Sequence, residues 1–273
     1  MHIPPELARV RAMVFDIDGT LTDAEHLVND ETLEALRKLD AAGIDIVVAS
    51  GRDPYSCRHT FEAAGLHGWA SACNGAHVSN IATGEVLRQV TMPGQMVEQV
   101  ITLCEQEDIA CSLFTPDELH VSQHTFLTPF LEAANPGQTV HLTPDLRVID
   151  PTQVLKLMPA AEKDHMAELF PRLRAICPDA TLSLDETAEC VGPGAEKGDG
   201  VGFLMEHLGW DPALVAGAGD GGNDVGWMRL IGWPMAMQNA RPEVKAVARM
   251  EIGHHLEGAI PEFVDAWLEA RGA

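Results

Sequence analysis

Basic residues are scarce in this chain: 18 lysines and arginines stand against 41 aspartates and glutamates, for a formal net charge of −23. No local cluster of lysine or arginine offsets that balance, so a nucleic-acid backbone would be repelled and nucleic acid is not expected as a partner. The six cysteines, at positions 57, 73, 104, 111, 177 and 190, include no CxxC pair and are too sparse for a disulfide-stapled scaffold. They argue against a structural zinc site and for reduced thiols. An apolar run of about 18 residues, enough to span a bilayer, is also missing. The opening MHIPPELARVRAMVF holds too short an apolar stretch for a secretory leader. The expectation is a cytoplasmic protein with no membrane partner; the oligomeric state stays open.

What the chain does have is core. Hydrophobic residues make up 46% of its 273 positions, ample for one large domain or two modest ones. AMVFDI (12–17) reads as a buried parallel strand ending in acid, and Asn29 or Asp30 can cap a helix over 31–42. IDIVVAS (44–50) is a second strand, 54–64 a helix and WASACNG (69–75) a third strand. This alternation predicts an α/β fold with a doubly wound, mostly parallel, Rossmann-like sheet.

The pattern changes from about residue 78. A hairpin at VSNIATGEVLRQV, a helix near 93–107 and strands at 109–114, 118–122 and 154–160 precede a helix over 161–177 and a strand pair over 181–191. Pro129, Pro136, Pro144 and Pro151 break the intervening stretch into loop and short helix. Parallel periodicity resumes with a helix over 198–208, a strand at 213–219, a helix at 223–230 and a strand around 234–237. Residues 197–273 hold only about two of these strands, too few for a separate parallel domain. The expected division is therefore a core of 1–79 and 191–273 with an inserted α+β cap of 80–190.

Three strands of the core end in polar, glycine-rich sequence, where open α/β sheets bind ligands. DIDGT follows the first strand, SGR the second, and GDGGND the strand at 213–219. Asp16, Asp18 and Asp220 can converge there as hard oxygen ligands for Mg²⁺. Backbone N–H groups near Gly19 and Gly51, with Ser50, can cradle phosphoryl oxygens, and Lys197 can neutralise their charge. In so acidic a chain, an anionic substrate requires a site that supplies its own cations.

These motifs are similar to those of the haloacid-dehalogenase-like superfamily, and within it the Cof-like hydrolases. The resemblance rests on FDIDGTLT (15–22), SGR (50–52), NGA (74–76), KGDGVGFLMEHLG (197–209), GDGGNDVGWM (219–228) and MAMQNARPEVKAVA (235–248). It implies an α/β cap over the site and a Mg²⁺-dependent phosphatase acting on a small phosphorylated metabolite, with a sugar phosphate expected first. By the same resemblance Asp16 is the nucleophile and first metal ligand. Asp18 is the general acid/base, its carbonyl on the metal. Asp220 completes the metal shell. Ser50 and Lys197 hold the transferring phosphate, and Asn223 and Asp224 orient Lys197 or the metal waters. Thr20, Gly51, Arg52, Asn74 and Gly75 are expected near the phosphate or the cap hinge. His120, His124, Asp185 and Glu186 are the cap candidates for substrate contact.

Other readings are weaker. GAGDGG (217–222) satisfies GxGxxG, but Asp220 and Asp224 would face a pyrophosphate without a metal. A phosphomannomutase-like phosphomutase must bind phosphate at both ends of a sugar, which demands cap cations. The cap offers only Arg88, Arg147, Lys156, Lys163, Arg172 and Arg174. A non-catalytic phosphometabolite-binding protein would not need Asp16, Asp18, Lys197 and Asp220 intact. The approach CVGPGAE (190–196) and the loop around His254 and His255 depart from the family pattern.

Overall fold

A computed structural model describes residues 1–135 and 137–272, which form two sheets flanked by helices. The chain begins with β1 (Ala12–Asp16), β2 (Asp45–Ala49), β3 (Trp69–Ala72), β4 (His77–Asn80) and β5 (Val86–Gln89). Then come β6 (Ala110–Phe114), β7 (Leu119–Val121), β8 (Val140–Leu142), β9 (Lys156–Ala160), β10 (Thr181–Leu184) and β11 (Thr187–Val191). β12 (Val215–Gly219), β13 (Trp233–Met237) and β14 (Met250–Ile252) close the series.

The first sheet runs β14-β13-β12-β1-β2-β3-β4-β5 and is parallel from β14 to β3; β4 and β5 add an antiparallel edge. All five residues of β1 and of β12 are buried, as strands covered by helices on both faces must be. The second sheet runs β10-β11-β9-β6-β7-β8, antiparallel except between β7 and β8. The chain leaves the first sheet after β5 and returns to it at β12, so the second sheet is an insertion. Consecutive strands run to one side of β1 and late strands to the other. The β1/β12 border is therefore the switch point where a ligand crevice opens.

Local chemistry sets most boundaries. The side chain of Asn29 accepts from the Thr32 N–H and starts the helix Asp30–Ala41, which buries Ala35, Leu36 and Leu39. The expected third strand stops at Ala72, because Cys73, Asn74 and Gly75 turn with φ of 46°, 54° and 87°. The expected helix at 223–230 divides into a 3₁₀ turn, Gly222–Asp224, and a short helix, Val225–Met228. In the proline-broken stretch, Pro129 occupies the first turn of the helix Thr128–Ala134, where its missing N–H leaves no bond unmade. Pro151 likewise opens a 3₁₀ turn; Pro136, like Ala273, lies outside the described residues. A third late strand, β14, escaped the sequence reading, since three residues cannot display a period.

All six cysteines are free and buried. Among the described residues no helix is long and apolar enough to cross a membrane.

Candidate active site

Asp16 is the last residue of β1, and Asp220 follows the end of β12, so the switch point brings the two carboxylates together. Asp224 joins them from the turn after Asp220, and one carboxylate oxygen from each of the three lies within 4.8 Å of the others. Gly19 allows this approach: its φ is +76°, and a Cβ there would sit 2.4 Å from Asp220 Oδ2. Only glycine fits both requirements at once.

Lys197, 2% exposed at the first turn of the helix Lys197–Leu208, donates to Asp16 Oδ1 at 2.6 Å and to Asp224 Oδ1 at 2.9 Å. Burial favours its neutral amine, but Asp16 and Asp224 outweigh that effect and hold Lys197 protonated beyond the usual lysine range. Burial, then the charge of Asp224, pushes the Asp16 carboxyl well above its ordinary range, with Lys197 opposing. Asp220 is raised by the same two causes. Three crowded carboxylates against one ammonium form a hard, oxygen-rich, charge-deficient cluster that can take a divalent cation.

Asp224 is already saturated. Its Oδ2 accepts from the N–H groups of Asp220 and Gly221, both at 3.0 Å, and its Oδ1 also accepts from Trp227 Nε1 at 3.0 Å. It thus fixes the loop that carries Asp220 and aims Lys197 at Asp16.

The side chain of Asp18 stands apart from this cluster. Arg52 grips it with two bonds, Nε to Oδ2 at 3.0 Å and Nη2 to Oδ1 at 2.7 Å, and His26 Nδ1 approaches to 3.5 Å. Burial works against the ionised form, yet these partners hold the Asp18 carboxyl well below the usual range. The carboxylate trio is therefore Asp16, Asp220 and Asp224, and Asp18 contributes no side-chain oxygen to it.

Ser50 and Gly51 follow β2 beside this cluster. Ser50 Oγ accepts from the Arg52 N–H at 3.1 Å, and its carbonyl accepts from the Asn74 N–H at 3.0 Å. Thr20 Oγ1 reaches Asp220 Oδ1 at 3.5 Å, and Asn223 Nδ2 reaches Asn74 Oδ1 at 3.5 Å.

A cavity of about 330 Å³ opens over these groups, lined by Asp16, Asp18, Ser50, Gly51, Arg52, Lys197, Asp220 and Asn223 from the first sheet's side. The inserted sheet and its loops supply Phe114, Phe130, Leu131, Lys156, Met158, Leu182, Leu184 and Glu189. None of the four cap candidates read from sequence lines it. His120 is buried, with Nδ1 bonded to Thr143 at 3.0 Å and Nε2 to Glu118 at 3.2 Å. His124 is exposed, Asp185 pairs with Lys163 at 2.6 Å on the surface, and Glu186 sits in the turn between β10 and β11.

Sequence reasoning passed over Lys156 and Glu189 as site residues, although a signal existed. Each is the lone charge in a short strand, KLMPA and TAECV, that is otherwise apolar but for Thr187, and a charge inside such a strand needs a partner. Leu182 and Leu184 carried another signal, a period of two in a strand that leaves both side chains more than a third exposed.

Fold and site together define a class: a doubly wound α/β protein with an aspartate cluster at its switch point and an inserted second sheet above it. The chain belongs to the haloacid dehalogenase-like hydrolase family, whose model matches residues 13–264. It is an enzyme, and the resemblance read from its motifs is borne out. The chain is 26% identical over 265 residues to the HMP-PP phosphatase of Serratia proteamaculans (strain 568), covering 95% of this chain and 96% of that one. It is 25% identical over 276 residues to the pyridoxal phosphate phosphatase of Escherichia coli (strain K12), covering 94% and 98%. In fold it resembles a haloacid dehalogenase-like hydrolase from Bacteroides thetaiotaomicron, with a TM-score of 0.82, 23% identity and coverage of 94% and 98%.

Proposed function

We propose that this enzyme is a Mg²⁺-dependent phosphomonoester hydrolase that forms an aspartyl-phosphate on Asp16 and acts on a small phosphorylated metabolite. The observation that carries the reading is the contact between Lys197 and Asp16 beside Asp220, at a switch point where Ser50 and Gly51 face the same cavity. The phosphatases among its relatives support the same reaction class.

In the proposed sequence, Asp16 Oδ2 attacks phosphorus in line while the bond to the leaving oxygen breaks. Released from Arg52 and His26 and protonated from solvent, Asp18 delivers that proton to the leaving oxygen, then takes one from the water that hydrolyses the acylphosphate. Arg52 and His26 keep Asp18 in place, and proton delivery requires that grip to relax. Ser50 and the backbone of Gly51 hold the phosphoryl oxygens, and Lys197 balances their charge. Asp16, Asp220 and the Asp18 carbonyl are the groups proposed to hold Mg²⁺, with Asp224 as the buttress behind them. When bound, the dication would neutralise charge between the attacking carboxylate and the phosphate.

The family resemblance points first to a sugar phosphate as substrate. The cap wall favours a leaving group with an apolar or flat face, because Phe114, Phe130, Met158, Leu182 and Leu184 offer few hydrogen bonds to hydroxyls. We place the core–cap division at sheet membership. The core then extends through the β4–β5 hairpin and resumes after β11.

A panel of phosphomonoesters with Mg²⁺, including p-nitrophenyl phosphate, a hexose phosphate and pyridoxal phosphate, tests the reading. Released phosphate that disappears with EDTA and returns with Mg²⁺ is the expected result. Full turnover after rigorous chelation, or no hydrolysis across the panel, would overturn it.

A further inference from the structure

Lys156 and Glu189 are buried charges that the proposed reaction leaves unused. Lys156 opens β9 and Glu189 lies in β11, its neighbour in the inserted sheet. The two side chains are 2% and 6% exposed and pair at 2.8 Å. An ion pair in such a place is poor evidence for added stability, since desolvation consumes most of the attraction. Its remaining contacts are therefore informative, and they lead to the other sheet. Lys156 Nζ donates to the Gly51 carbonyl at 2.5 Å and lies 4.2 Å from the centre of the Phe114 ring. Glu189 Oε2 accepts from Asn74 Nδ2 at 2.7 Å.

Both targets belong to one construction. The Ser50 carbonyl accepts from the Asn74 N–H at 3.0 Å, and the Arg52 carbonyl accepts from the Cys73 N–H at 2.9 Å. Cys73 and Asn74 hold positive φ; asparagine tolerates that region, but a cysteine adopts it only when its surroundings enforce it. A Cβ at Gly51 would stand 2.9 Å from Glu189 Oε1, so the two sheets meet here without slack. Through Asn74 the network also reaches Asn223, in the loop that follows Asp220.

We propose that the Lys156–Glu189 pair is a positioning device carried by the inserted sheet. It fixes the Ser50–Arg52 turn and the strained turn at 73–75, so that the phosphate cradle is complete only with the cap in contact. The proposal rests on the phosphatase reading for its functional consequence, but its structural half stands alone. The cap is then part of the phosphoryl site itself, in addition to selecting leaving groups.

The test is the double variant Lys156→Met/Glu189→Met, which removes both charges and leaves neither unpaired, compared with Lys156→Arg and wild type. Hydrogen exchange at the amides of residues 50–52 and 73–75 should accelerate about tenfold, and inorganic phosphate should bind about tenfold more weakly by calorimetry. Turnover of p-nitrophenyl phosphate, which has little for the cap to select, should lose about 10- to 10²-fold in kcat/KM. The Mg²⁺ concentration for half-activation should stay unchanged, and Lys156→Arg should recover part of each loss. A folded double variant with wild-type exchange and wild-type phosphate affinity would overturn the proposal. If the double variant does not fold, Glu189→Asp draws the carboxylate back from Asn74 and is judged by the same two measurements. A wild-type protein that hydrolyses no phosphomonoester would count against the phosphatase reading, while the exchange comparison would still decide this one.

Discussion

Across the cavity, the first sheet presents Asp16, Asp18, Arg52, Lys197 and Asp220, whereas the inserted sheet and its loops present Phe114, Phe130, Met158, Leu182 and Leu184. The difference follows from strand direction. The parallel strands of the first sheet all deliver their C-terminal ends to the same edge, so β1, β2 and β12 place three polar loops side by side. In the mostly antiparallel inserted sheet neighbouring ends alternate, and a face is what it offers to the cavity. A face of β-strands suits apolar contact and holds few converging charges. Lys156 and Glu189 are the exception, and they spend their charge on the first sheet's turns rather than on the open cavity.

The sharpest way to break this comparison is Asp16→Asn. If the first sheet owns the covalent step, this variant should lose on the order of 10⁴-fold or more in turnover. Rapid-quench mass spectrometry should find no phosphoenzyme. A phosphoryl group mapped to any other residue would remove Asp16 from its role.

Next in size is Asp18→Asn, expected to cost roughly 10²–10⁴-fold in rate. The backbone carbonyl is unchanged, so Mg²⁺ binding should stay near normal. A good leaving group such as p-nitrophenolate needs little protonation, so phosphorylation should suffer less than hydrolysis of the acylphosphate. Accumulated phosphoenzyme in this variant is the expected signature, and its absence with intact first-step rates would argue for a different base.

On the other side of the cavity, Leu182→Ala and Leu184→Ala should leave kcat for p-nitrophenyl phosphate within about twofold. They should re-rank bulkier substrates by about tenfold in kcat/KM, as loss of a few apolar contacts allows. An unchanged ranking would make the wall a spacer. His120→Ala, whose ring is bonded within the cap, should shift stability more than ranking.

A last effect, on stability and not on turnover, lies at the seam between the regions. Burial lowers the His77 imidazole from 6.5 to about 4, with Asp117 opposing, and its buried Nδ1 has no hydrogen-bond partner among the described residues. The folded state therefore binds this proton less readily than the unfolded chain does. Its contribution is fully present above pH 6.5, the unfolded value, and is lost as the pH falls through the window down to about 4. The slope should not exceed ~1.4 kcal/mol per pH unit. Denaturant melts of wild type and His77→Phe across that window should show the variant with a flatter pH profile.

The amino-acid sequence by itself determined the parallel core, the insertion and the polar loops at the strand ends. Those loops are contiguous: DIDGT, SGR and GDGGND each place their chemistry within a few residues of a buried strand's end. A capped helix such as Asp30–Ala41 was equally legible, since Asn29 and the apolar stripe act within one or two turns. Tertiary structure decided what depends on distant segments meeting. It drew Asp18 to Arg52 and His26, leaving Asp224 as the third carboxylate beside Asp16 and Asp220. It bonded His120 within the cap and turned Leu182 and Leu184 toward the cavity. It joined Lys156 and Glu189, 33 positions apart, and set the lysine on Gly51, 105 positions away. Local propensity carries no information about such pairs. The desolvation of a charge is settled only when a partner from elsewhere in the chain is in place.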